Sequence, residues 1–344
     1  MAKGVAILLV VLMHTILMVG QMGVDAERLW AISEDLQVLR MPLFFAASGI
    51  FAGSVVRRPW GRLWSSRLSL LVWTFLLWSL LRFGYFLLMP MEARPQETDP
   101  MRLLMSLVEP TSGLWFLHAL VVFFVATKLI TRWVPGRWQL LGAAVLSIVF
   151  LMLPSFSLSW SGMGRYYVFF LAGLHGKDVI LRIVGRQRLA PGLVLFGGCA
   201  GLTLLVFVLG LEDVGVVSFL VRILAVATGF VGAGLLVRMP VVSPALQYLG
   251  RNTLPIYLAH VILVAFVGTV LTTLFPGLAA ELGTVVALVV AAAAVIVSLV
   301  LERVVRGTPL EVAYQPPGWF SRAARPQPQR PASPEQLEVK SAPF

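Results

Sequence analysis

Six ionisable residues stand inside or against strongly apolar runs: His14, His118, His175, His260, Arg82 and Arg222. A charged group at the centre of a membrane helix costs about 2.5–3.5 kcal/mol on insertion scales, so each is a candidate for function. His14 follows Lys3 by eleven residues. That spacing is close to three helical turns and sets both side chains on one face about 16 Å apart. A cation at one surface beneath an interior imidazole would line a route from an anionic donor to buried chemistry. Imidazole suits proton transfer there, because its neutral form can accept a proton. Tyr257 and His260 are three residues apart and share a helix face. Asn252 or Thr253 caps the start of their helix, with Pro255 in its first turn.

Each candidate has a plain structural alternative. A lone membrane histidine such as His14 can simply hydrogen-bond a neighbouring helix, and Tyr257 with His260 can join two helices as a polar pair. His118 comes just after Trp115, which fits the aromatic belt at a membrane boundary. His175 precedes a basic loop and reads as a solvated boundary residue. Arg82 and Arg222 can snorkel or bond carbonyls. No Asp or Glu lies mid-span to pair with them, an absence that argues against a proton-coupled transporter.

The elements that must position these groups follow from composition. Of 344 residues, 58% are hydrophobic and 12% charged, against about 45–50% and a quarter in a soluble domain. The excess must face lipid, so the fold class is all-α and integral to a membrane. A hydrocarbon core takes about 20 apolar residues to cross, which predicts spans near 4–20, 36–56, 68–91, 113–131, 138–153, 164–181, 191–211, 214–237, 252–275 and 281–302. With the amino terminus cytoplasmic, fifteen basic residues fall in inner loops, among them Arg57, Arg58, Arg62 and Arg67. Outer loops hold Arg28, Arg94 and Arg102, with Arg40 and Arg165 at the boundaries. This alternation supports about ten spans with both termini inside.

The same distribution argues against nucleic acid as the partner of the +11 net charge, since the cations lie in short clusters between apolar runs. The lone Cys199 rules out a disulfide framework or a CxxC metal site, and no metal is expected. The first apolar run, flanked only by Lys3, reads as a retained anchor helix. Residues 1–306 are expected to form one transmembrane domain. Residues 307–344, rich in proline and glutamine, are expected to be a disordered cytoplasmic tail.

Five segments, Lys3–His14, Arg40–Gly49, Leu114–Leu120, Tyr166–Gly173 and Leu249–His260, together resemble the acyltransferase type 3 family of membrane proteins, in the family's order. Arg40-Met41-Pro42 and Pro59-Trp60-Gly61 look like the branch related to fucose 4-O-acetylases. The resemblance implies a ten-helix protein of the plasma or inner membrane. Such a protein moves an acyl group, often acetyl, from cytoplasmic acyl-CoA to a hydroxyl of a surface glycan or lipid-linked sugar. The family's signature is a basic residue, ten intervening residues and a histidine, which falls on Lys3 and His14, with Lys where Arg is commoner. His14 is then the catalytic group, and Lys3 anchors the donor or shapes its entrance. Arg62 and Arg67 hold the phosphates of the donor. Asn252, Tyr257 and His260 support developing charge, with Trp115 and His118 beside the acceptor.

Two rivals are a transporter or flippase of a lipid-linked glycan, and a membrane scaffold without chemistry. The first lacks both intramembrane carboxylates and a clear inverted repeat. The second requires that removal of His14 be silent.

Overall fold

The computed structural model describes residues 1–185, 189–277 and 282–322. Among them every regular element is helical. Ten principal helices account for the expected segments. They are α1 (Ala2–Gln21), α2 (Gln37–Ile50), α3 (Ser69–Leu88), α4 (Trp115–Ile130), α5 (Gly136–Met152), α6 (Leu158–His175), α7 (Leu189–Val208), α8 (Gly215–Leu236), α9 (Thr253–Leu274) and α10 (Gly283–Val305). Six helices are long and apolar enough to cross a membrane: α1, α3 with the turn before it, α7, α8, α9 and α10. Helices α4 and α5 are shorter apolar helices.

α1 and α2 are the centre of the bundle. α1 packs on α2, α9 and α10, and α2 packs on α6 and α8. Interior hydroxyls on α1 and α2 are satisfied locally: Thr15 donates to the Val11 carbonyl at 2.9 Å and Ser48 to the Phe44 carbonyl at 2.8 Å. Such back-bonds let polar residues sit where no water can serve them. The α2–α6 contact is backbone on backbone. A methyl group on Gly49 would overlap the Phe170 carbonyl, and one on Gly173 would overlap the Ala46 carbonyl. Small residues allow this approach, which a bilayer rewards through packing.

Three expectations need correction. The sixth segment lies earlier than 164–181, because the Ser157 hydroxyl caps α6 by accepting from the Trp160 amide at 3.4 Å. Gly176 then ends it, and Lys177–Gly185 forms a separate short helix. Asn252 does not cap α9 with its side chain; its Nδ2 donates back to the Tyr248 carbonyl at 2.8 Å, and it joins the helix Val242–Arg251 to α9. The start of the expected tail is folded. Pro309–Ala313 and Gly318–Ser321 are short helices lying along α3. There the indole nitrogens of Trp73, Trp78 and Trp64 donate to the carbonyls of Val312, Ala313 and Phe320 at 2.7, 2.7 and 3.0 Å. Residues 323–344 of that tail lie outside the described residues, as do Arg186, Arg188 and Glu281 from the predicted loops and spans.

Candidate active site

α1 carries His14 and α9 carries His260, and the packing of these two helices brings the imidazoles together edge-on with ring centroids 5.0 Å apart. A carbonyl oxygen can only accept, so neighbouring carbonyls fix the tautomer of each neutral ring. His260 Nδ1 donates to the carbonyls of Tyr257 and Ile256 at 2.8 and 3.1 Å. Its Nε2 is therefore a lone pair, and it faces His14 Nδ1 at 3.4 Å. His14 Nδ1 carries its hydrogen toward the Val10 carbonyl at 2.9 Å. What remains is His14 Nε2, an unprotonated nitrogen.

Gly113, just before α4, leaves room in front of that nitrogen. A methyl group there would lie 3.4 Å from His14 Nε2 and 3.6 Å from Arg82 Nη1. A base and a cation thus flank one small space. Arg82 is buried on α3 and is held by a carboxylate that the sequence reading did not find. Its Nε donates to Glu97 Oε2 at 2.8 Å and its Nη2 to Glu97 Oε1 at 2.5 Å. Glu97 is not in a span. It lies in the short turn Pro95–Thr98, which folds back over the end of α3. Arg94 Nη1 sits 3.7 Å from the same carboxylate, while Arg94 Nε donates to Gln21 Oε1 at 2.8 Å. Burial raises the Glu97 carboxyl's pKa, but the hydrogen bonds and charge of Arg82, with Arg94 beyond, outweigh it and hold it below the ordinary value.

Two cavities approach this centre. One, of about 400 Å³, lies toward the Lys3 end of α1, with Lys3, Arg67 and Arg251 among its lining residues. The other, of about 600 Å³, lies toward the Gln21 end and contains His14, Arg82 and Glu97. Tyr257 lines both. Its buried hydroxyl donates to the Gly113 carbonyl and accepts from the Phe116 amide at 3.2 Å, pinning the wall between them.

A family model described as an acyltransferase domain matches residues 1–303. The chain belongs to the acyltransferase type 3 family. No curated protein and no solved structure matches it. It is a multi-pass membrane protein of an acyl-transferring family, and the geometry sorts the residues expected from that resemblance.

In this acyltransferase, Lys3 and Arg67 share the first cavity, with Lys3 Nζ 5.1 Å from the centre of the Phe51 ring. His14 and Trp115 line the second, where the six-membered edge of the Trp115 indole lies over Gly162. Tyr257 lines it too, while His260 is fully buried, lines neither cavity and reaches the site only through His14. Three expected residues stand apart. Arg62 is exposed and lines neither cavity, whereas Arg67, in the π-helical turn Trp64–Leu68, is also exposed but lines the first. Asn252 faces a separate cleft beside Arg251. His118 packs against Phe75 and Trp160, with ring centroids 5.9 and 6.0 Å away, and lines neither cavity. The sequence reading missed Arg251, Gly113 and Glu97. A signal for the last was available, since Arg94, Pro95, Glu97 and Asp99 crowd one short loop.

Proposed function

We propose that this protein is an O-acyltransferase of the plasma or inner membrane, spanning it ten times with both termini in the cytoplasm. It takes an acyl group, most simply acetyl, from cytoplasmic acyl-CoA and delivers it to a hydroxyl of a surface glycan or lipid-linked sugar. One observation supports this reading: two cavities lie toward opposite ends of α1, Tyr257 stands in the wall of both, and the second holds the space that His14 Nε2 and Arg82 Nη1 face. A single-sided enzyme needs only one of them.

The donor enters at the Lys3 end, where Lys3, Arg67 and Arg251 attract its phosphates. Its thioester reaches past Tyr257 to the space beside Gly113. The acceptor hydroxyl comes from the other side. His14 Nε2 takes the hydroxyl proton as the oxygen attacks the thioester carbonyl. Arg82 Nη1 stabilises the negative charge that gathers on the carbonyl oxygen. The carbon–sulfur bond then breaks, and the proton passes from His14 to the departing thiolate. His260 orients His14, and Tyr257 is a positioning residue whose hydroxyl hydrogen is committed to Gly113.

The test is purified full-length protein in nanodiscs with labelled acetyl-CoA, together with mass spectrometry of envelope glycans from wild-type, deletion and His14→Ala strains. The expected result is release of free CoA and an ester that deletion and His14→Ala both remove. Transport of a glycan with the thioester left intact overturns the reading.

A further inference from the structure

The cavity at the Gln21 end is lined by Arg40, Arg82, Arg94, Arg102 and Arg165, but by one carboxylate, Glu97. Glu97 is taken by Arg82 and Arg94. Arg102 sits 3.7 Å from the exposed Asp99. Arg40 and Arg165 are left over. Arg40 is 6% exposed, its Nη1 reaches only the carbonyl and hydroxyl of Ser33 at 3.4 Å, and its Nε has no partner. Arg165 spends Nε on the Phe150 carbonyl at 2.9 Å and lies 3.5 Å by Nη2 from the Leu153 carbonyl. Behind them Arg222, with a second buried and unpartnered Nε, lies in electrostatic reach of Arg165 and of Tyr166, another lining residue. Among the described residues no carboxylate pairs with Arg40, Arg165 or Arg222.

Such an arrangement is costly without a counter-charge, because a buried cation gives up hydration that only a paired anion restores. The guanidinium fork matches phosphate and carboxylate oxygens in particular. A volume of about 600 Å³ suits a sugar-sized ligand, as ligand pockets run roughly 300–1,000 Å³. His14 and Arg82 line the same cavity, so one molecule can span both groups.

We infer that the acceptor is an alcohol bearing an oxyanion, whose phosphate or carboxylate is held by Arg40 and Arg165 while its hydroxyl faces His14. The hydroxyl's fate rests on the acyl-transfer reading above; the anion site does not.

The experiment separates the two. Full-length protein in phosphatidylcholine nanodiscs is titrated calorimetrically with glucose 1-phosphate, glucuronate and methyl glucoside, and the same three are offered as acceptors with labelled acetyl-CoA. At least one anion is expected to bind saturably and more weakly as salt rises, and to exceed the neutral glucoside by roughly tenfold or more. The stronger anion names the group, phosphate or carboxylate. Arg165→Gln is expected to weaken that binding about tenfold, and Arg40→Lys to weaken it too, since lysine keeps the charge but lacks the fork. If neither anion binds saturably, if methyl glucoside binds as well as both, or if Arg165→Gln binds the anion like wild type, the inference fails. If the anion binds but no alcohol is acylated, the inference stands and the acyl-transfer reading falls. If all three alcohols are acylated equally, the reverse holds.

Discussion

At the Lys3 end, cations reach the cavity on exposed or half-exposed side chains: Arg67 and Arg251 lie open at the surface and Lys3 is half-buried. At the Gln21 end, Arg40, Arg82 and Arg94 are buried, and Arg82 is locked in place by two hydrogen bonds to Glu97. Flexible, hydrated cations attract a polyanion without dictating its pose, and salt weakens them. Buried, bonded arginines give up hydration and rotamer freedom in return for fixed geometry. The first arrangement suits a donor with several phosphates and a long arm. The second suits the step in which charge develops at one defined point.

The sharpest way to break this contrast is His14→Ala. Loss of the general base is expected to lower acyl transfer by roughly 10²–10⁴-fold, read as acceptor-dependent CoA release, with thermal unfolding unchanged. Retention of most of the activity would move the chemistry elsewhere.

Glu97→Gln tests the locked side next. Removing one partner of a buried pair costs about 3–5 kcal/mol. Because Glu97 is 12% exposed, a loss nearer roughly 2–3 kcal/mol is expected, along with a fall in kcat as Arg82 loosens. The pH dependence has a definite sign. The folded-state pKa of Glu97 is depressed, so its contribution is complete above the unfolded value near 4.5 and is lost as pH falls through the folded value. Wild type should outlast Glu97→Gln at neutral pH, and the gap in melting temperature should close in acid.

The loose side should respond more gently. Arg67→Ala with Arg251→Ala is expected to raise the KM for acyl-CoA roughly tenfold with kcat nearly kept, an effect that high salt mimics in wild type. The smallest effect belongs to Gly113→Ala. A methyl group 3.4 Å from His14 Nε2 narrows the space where thioester and hydroxyl meet and should lower kcat/KM for both a few-fold.

The apolar helices were legible because lipid imposes a length and a polarity on each; Lys3 and His14 stood out through their helical spacing and the family's signature, but the spacing did not show that they line different cavities. Tyr257 and His260 were visible as a pair for the same reason. Arg82 was legible as an anomaly but not as a functional group, since Glu97 reaches it from a loop fifteen residues on. Local periodicity says nothing about a turn that folds back. Arg62 and Arg67 looked equivalent in the sequence, but Arg62 lies on the short helix Trp60–Leu63 and Arg67 in the π-helical turn after it, and Arg67 alone lines the first cavity. Arg40 and Arg165 were counted as loop charges at a membrane boundary, a role that hides whether a guanidinium faces water or a cavity.

The indoles of Trp64, Trp73 and Trp78 find their carbonyl partners 235 to 256 residues further along the chain. During synthesis these three nitrogens emerge early and cannot meet these carbonyls until residues 312–320 have been made. The belt beside α3 can therefore close only after the chain of α9 and α10 has been made. Until then the cleft that Ser69 and Leu70 share with Tyr314, Gln315 and Ser321 lacks one of its walls.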